Sequence, residues 1–306
     1  EPAPRALPAE PAAPADKPAT APLAAPRPGP PAATVRVVRE TLHGTEVVDP
    51  YRWMEAGDSP ELRAFLEAQD AWTRARLARL PGREALLARI RELSEGTLAI
   101  TSISLAAGKV FYLKLAPGQS TPVLCVRDGF AGTERVLVDP ARHDAPPRRA
   151  ALAWYHPSPD GRRVAYGIAL AGTEDATLRV LETAGARDTG VVIDRARFNA
   201  RMGWHADSGA FYYARIPEGQ REVARRNAGI RIYRHVMGRA AAQDEIVFAS
   251  GLAGAREVPE FVYPSVLVPE ESGHAYPIAP NGVAREIAAY QTPLKELAAG
   301  HPRWTR

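Results

Sequence analysis

The sequence predicts a mainly β protein, a partial β-propeller preceded by two helices. Three observations carry this. After Gly96, short apolar or aromatic runs alternate with glycine-bearing turns. A weak internal repeat returns about every 50 residues, the period of four-stranded propeller blades. Helical spacing occurs in two stretches, both before Gly96.

Residues 1–33 are nearly all Pro and Ala, and eleven of the 29 prolines fall in the first 31 positions. Such a stretch cannot bury a core and reads as a semi-rigid, disordered leader. From Thr34 the texture changes. Val35, Val37 and Val38 predict a short strand, and Leu42 to Glu55 an aromatic-rich loop. Ser59 is placed to cap a helix, with Pro60 at its first position and Glu61 in its first turn. Leu62, Phe65, Leu66, Gln69 and Trp72 follow helical spacing until Pro81-Gly82 ends the run. Leu86, Leu87, Ile90 and Leu93 share the face of a second helix, which Gly96 can close.

Strand runs follow at 109–115, 122–127, 135–138, 163–168, 177–181, 210–214 and 230–236. The turn Ser158-Pro-Asp-Gly161 is echoed at Ala206-Asp-Ser-Gly209, more loosely at Ala107-Gly108, and again at Glu270-Glu-Ser-Gly273. One such unit cannot cover both its faces alone, so neighbours must stack.

Composition narrows the function classes. No stretch of about 18 apolar residues exists to form a spanning helix. The single cysteine, Cys125, sits in a strand pattern and reads as a small buried hydrophobe. A net charge of +4 does not force a polyanionic partner. The dense basic stretch, Arg221 to Arg234, lacks the aromatic interleaving of a nucleic-acid platform, so no nucleic acid is expected. The chain begins at Glu1, so it is expected to follow a processed segment or to lie within a longer product. With the tether-like leader, a periplasmic or secreted location is favoured over a cytoplasmic one.

The segment Asp49-Pro-Tyr-Arg-Trp-Met-Glu55, the helix with Phe65-Leu-Glu-Ala-Gln69, Arg135-Val-Leu-Val-Asp-Pro140, Pro157-Ser-Pro-Asp-Gly-Arg-Arg-Val-Ala-Tyr-Gly167, Phe198 and Gly203-Trp-His-Ala-Asp-Ser-Gly209 together resemble the front part of prolyl oligopeptidases. The resemblance runs in places to Val283-Ala-Arg-Glu286. In that family a seven-bladed propeller caps an α/β-hydrolase domain. The resemblance implies that 34–95 is the N-terminal segment of the peptidase domain and that 96–306 holds about four blades. The family's Ser/Asp/His triad would lie in a C-terminal hydrolase domain missing from this sequence. The implied activity is that of a serine endopeptidase cleaving short peptides after proline, with this chain inactive alone. A non-catalytic propeller that binds peptides or proteins is the alternative, and an oligopeptidase cleaving after basic residues a further one.

The residues fit that division. No Gly-x-Ser-x-Gly elbow occurs, and Ser59 is followed by Pro60-Glu61, so no catalytic residue is assigned. His43, His143, His156, His205, His235, His274 and His301 show no metal-ligand spacing, and no metal or cofactor is expected. Asp160 and Asp207 read as turn residues that bond nearby backbone amides. Asp49, Tyr51, Arg52 and Trp53 read as a packing anchor rather than a substrate contact. Phe198 is the candidate substrate-binding residue, because the family's corresponding phenylalanine faces the active-site cavity.

Overall fold

The computed structural model describes residues 29–57, 59–197, 199, 202–219, 227–252, 258, 260, 263–269, 272–280 and 287–306. Phe198, residues 221–226 of the basic stretch, Glu270-Glu271 of the last echo and Val283 to Glu286 lie outside that set, as does the leader up to residue 28. The chain divides into two compact units, Glu1–Ile90 and Arg91–Arg306.

The first unit opens with a hairpin, β1 (Val38–Leu42) against β2 (Thr45–Asp49), with Leu42 opposite Thr45. This corrects the reading of 42–55 as a loop and of Val35 and Val37 as strand. The turn is His43-Gly44, with φ of 51° and 82°. Two successive positive φ values are what a tight two-residue hairpin requires, and Gly44 supplies one at no steric cost. A short 3-10 turn over Arg52–Glu55 follows. Helix α1 (Pro60–Leu77) starts where the capping pattern places it, with Ser59 Oγ accepting from Leu62 N at 3.1 Å. Helix α2 (Arg83–Glu95) carries Leu86, Ile90 and Leu93 on an exposed face.

The described residues of the second unit form four antiparallel sheets in chain order. The first contains β3 (Ala99–Ala106), β4 (Lys109–Leu115), β5 (Val123–Asp128) and β6 (Arg135–Val138). The second contains β7 (Ala150–Pro157), β8 (Arg163–Leu170), β9 (Ala176–Glu182) and β10 (Arg187–Ile193). The third contains β11 (Gly203–Trp204), β12 (Ala210–Arg215), β13 (Arg231–Val236) and β14 (Glu245–Phe248). The fourth contains β15 (Ser265–Leu267), β16 (His274–Pro280) and β17 (Ile287–Ala289), with β18 (Thr292–Pro293) also pairing β16. A short helix α3 (Leu294–Ala298) follows.

Alternation along each strand assigns side chains to the two neighbouring sheets. Phe111, Leu124 and Val126 of the first sheet pack with Tyr155, Val164 and Tyr166 of the second. Ala165, Leu178 and Val180, on the second sheet's opposite face, pack with Phe211 and Tyr213 of the third. Tyr212 and Phe248 of the third pack with Val266, Tyr290 and Trp304. Each large side chain buried this way contributes about 2 kcal/mol. The stacking of four-stranded sheets through both faces is the propeller arrangement that the repeat predicts.

The repeated turns touch one another. Asp160 N donates to Ser208 Oγ at 3.1 Å, which joins the second and third sheets. A Cβ on Gly161 would stand 3.0 Å from Ala106 O of the first. The repeat therefore marks the points where consecutive blades interlock.

Candidate functional site

Strand β3 lies beside β7, and β11 beside β15, so the first strand of each sheet is its innermost. The ends of these four strands line an open cavity of about 850 Å³. Leu105 comes from β3, His156 and Pro157 from β7, Met202 and Trp204 from in and beside β11, and Leu267 from β15. Among the described residues its lining carries no Asp, Glu, Lys or Arg. It is an uncharged mouth whose exposed wall is about evenly polar and apolar, with Leu105, Met202, Trp204 and Leu267 supplying apolar surface for a peptide's side chains.

One polar chain of contacts shapes this mouth. His156 Nε2 lies 2.8 Å from the carbonyl oxygen of Asn199. Trp204 Nε1 donates to the His156 carbonyl at 3.1 Å. Burial pushes the His156 imidazole below its usual pKa, against the smaller opposing effect of the Asn199 bond. The ring is therefore neutral at pH 7 and adds no charge to the wall.

Asn199 is itself buried, at 1% exposure. Its Nδ2 donates to Ala196 O at 2.9 Å and Ala214 O at 2.7 Å, and its Oδ1 accepts from Ala214 N at 2.7 Å. The connection from β10 to β11 is thus clamped to β12 by the side chain and to β7 by the backbone. Phe198, the predicted substrate contact, is the neighbour of this clamp in sequence and lies outside the described residues.

The other predicted positions have structural partners. Asp160 accepts from Ser158 Oγ at 2.6 Å and Arg162 N at 3.0 Å. Burial raises its carboxyl, but these bonds and Ser208 outweigh that and hold it below the ordinary carboxylate range. Asp207 accepts from Gly209 N at 2.7 Å, the main reason its pKa is lowered. Arg52 donates to Asp49 Oδ2 at 2.8 Å and also pairs with Glu40, while Trp53 Nε1 donates to Thr34 O at 2.8 Å. Trp53 meets Phe65 edge-on at 5.9 Å. This cluster anchors the first unit.

Cys125 is fully buried, and burial pushes its thiol up to about 11, which leaves it unreactive. His235 pairs with Asp244 at 2.9 Å, and Tyr213 donates to the same carboxylate at 2.8 Å, all inside the blade core. Among the described residues no three His, Cys, Asp or Glu side chains converge as a metal site.

Sequence reading missed the mouth residues Leu105, Met202, Trp204 and Leu267, and placed His156 only as a structural residue. One signal was available. His156 and Trp204 stand 48 positions apart, the interval between Gly161 and Gly209, so both occupy one blade position.

Comparison with known proteins agrees with this architecture. Residues 30–252 match the family model described as prolyl oligopeptidase, N-terminal β-propeller domain. A prolyl endopeptidase of Elizabethkingia meningoseptica is 24% identical over 225 residues, 73% of this chain and 31% of the relative. An uncharacterized peptidase of Sinorhizobium fredii is 29% identical over 215 residues, 66% of this chain and 27% of the relative. The chain thus spans about a third of the length of these curated relatives.

Among solved structures, one from a study of two prolyl endopeptidases superposes with a TM-score of 0.76 at 28% identity, covering 90% of this chain and 39% of that one. Prolyl oligopeptidase B of Galerina marginata, bound to a 35-residue substrate, shares the fold with a TM-score of 0.73 at 20% identity, covering 90% and 41%. With the family model matched over most of the sequence and the four stacked sheets in place, the chain belongs to the prolyl oligopeptidase family of serine peptidases and carries residues of its N-terminal β-propeller domain.

Proposed function

We propose that this chain is the propeller part of a serine endopeptidase that cleaves short peptides after proline, and that the axial mouth is where peptide meets propeller. The observation that carries this reading is the mouth itself, an uncharged cavity of about 850 Å³ framed by the innermost strands of all four sheets. Its uncharged walls carry apolar surface that can take side chains without charge selection.

Within this proposal, residues 34–95 belong with a hydrolase domain and 96–306 with the propeller. No Gly-x-Ser-x-Gly elbow occurs in the 306 residues, so serine, base and acid come from that hydrolase domain. There a serine attacks proline's own carbonyl carbon, a histidine takes the serine's proton and gives it to the departing amine, and an oxyanion hole holds the developing charge. The role of this chain is to admit and orient the peptide. We assign Phe198 to substrate contact. The support is its place next to Asn199, whose carbonyl His156 holds at the mouth.

The test is hydrolysis of a fluorogenic Gly-Pro substrate by this chain and by a version extended to the next stop codon. We expect turnover only from the extended protein, blocked by an active-site serine reagent. If both are inert and this chain still binds peptides, a non-catalytic binding propeller replaces the peptidase reading.

A further inference from the structure

A second cavity lies on the same end of the propeller, between the first two sheets. It measures about 750 Å³. One wall is the β3–β4 turn with Lys109, together with Asp128 and Arg135. The other is the segment Asp160–Arg163, whose Arg163 guanidinium donates to Ser208 O at 3.3 Å, and the stretch Glu182–Ala184. Ala107 lines both this groove and the axial mouth, so the two are contiguous.

The groove holds acids and bases, but they are not equally engaged. Asp128 is paired with Lys109. Asp160 is occupied within its own turn and by Ser208. Glu182 accepts from Arg187 at 2.6 Å. Arg135 differs. It is half-buried, and its hydrogen bond is to a backbone carbonyl, Thr183 O, at 2.8 Å. Among the described residues no carboxylate lies within ion-pair distance of it, although Asp128 in the same groove feels its charge. The Thr183 hydroxyl, on the residue whose carbonyl Arg135 holds, is buried and has no partner among the described residues. Arg162 stands at the rim, its side chain 81% exposed and its Nε 4.0 Å from Asp160. A guanidinium offers five N–H donors in a planar fork that fits two oxygens of one anion, and most of the Arg135 fork is unused.

We propose that this groove is a carboxylate-binding site, with Arg135 as its floor and Arg162 as its rim. A peptide seated in the mouth would place a free C-terminus or an acidic side chain there. The peptide part of this inference rests on the mouth being the peptide site. The anion part rests only on the groove.

The test uses this chain and three peptides of one sequence containing Gly-Pro, measured by isothermal titration calorimetry. The first has a free C-terminus, the second a C-terminal amide, and the third is the amide with Glu at its last position. We expect at least one carboxylate-bearing peptide to bind about tenfold more tightly than the neutral amide, the scale of one charge-assisted contact. Arg135→Gln should erase the preference. So should Arg162→Gln, whose exposed side chain is the safer change for folding. The stronger of the two acidic peptides identifies the carboxylate source.

If all three bind equally, the groove proposal falls while the mouth reading stands. If none binds, the mouth reading falls, and inorganic phosphate decides the groove. Phosphate binding weakened by Arg162→Gln supports the site, and phosphate binding unchanged or absent in the native chain overturns it.

Discussion

Asn199 shows how one side chain can hold a site it does not line. It spends both amide hydrogens and its oxygen on buried backbone groups of Ala196 and Ala214. Asn199→Ala would leave two carbonyls and one amide hydrogen without partners. A loss of about 3 kcal/mol in unfolding free energy is expected from chemical denaturation. A variant as stable as the native chain would show that the clamp is dispensable. A second residue-scale prediction concerns Glu134, which joins Lys114, Tyr112 and Arg127 on the first sheet. The Lys114 bond first, then Tyr112, holds its carboxyl down to about 2 from an ordinary 4.5. A depressed folded pKa stabilises fully above the unfolded value and loses that contribution as pH falls through the folded one. The window is therefore pH 4.5 to about 2, and the contribution is about 2 kcal/mol after solvent screening. Glu134→Gln should flatten the stability profile across that window. An unchanged acid limb would count against this account.

Within elements, close packing between β7 and β8 depends on one missing side chain. A Cβ at Gly167 would stand 2.5 Å from Cε2 of Trp154 on the paired strand. Gly167→Ala should destabilise the chain by about 2 kcal/mol or more through overpacking. Trp154 Nε1 has no hydrogen-bond partner among the described residues, so a smaller ring there costs no bond. The double variant Gly167→Ala with Trp154→Phe should recover part of the loss, as a coupling term in a double-mutant cycle of melts. Strict additivity would rule out a direct clash. Element boundaries follow the same local logic. The α1 cap was legible because Ser59-Pro60-Glu61 is a local signal. The β1–β2 hairpin was not, because its turn is His43-Gly44 and only Gly announces itself at positive φ.

For the second unit as a whole, the first sheet has one face packed on the second sheet and one that bears Leu105 and Val136 at 67% and 51% exposure. Apolar strands exposed in this way favour association. The chain is expected to associate in a concentration-dependent manner in sedimentation velocity runs. Val136→Lys, on that open face and outside the mouth, should shift it toward monomer. A single monomeric species across the concentration series would refute the prediction.

The sequence by itself determined the mainly β class, the blade period, the capped helix and the family, because each rests on local order along the chain: alternation, turn chemistry and spacing. The interlock of repeated turns was implicit in the 48-residue interval, since identical blades must meet at identical points. Only the tertiary structure decided which residues face the axis. Leu105, His156, Met202, Trp204 and Leu267 are far apart in sequence and share no motif. They meet because each ends or flanks the innermost strand of its sheet. The Arg135 groove depends on the same cause, for whether a guanidinium finds a carboxylate is settled by the neighbouring blade and not by its own strand.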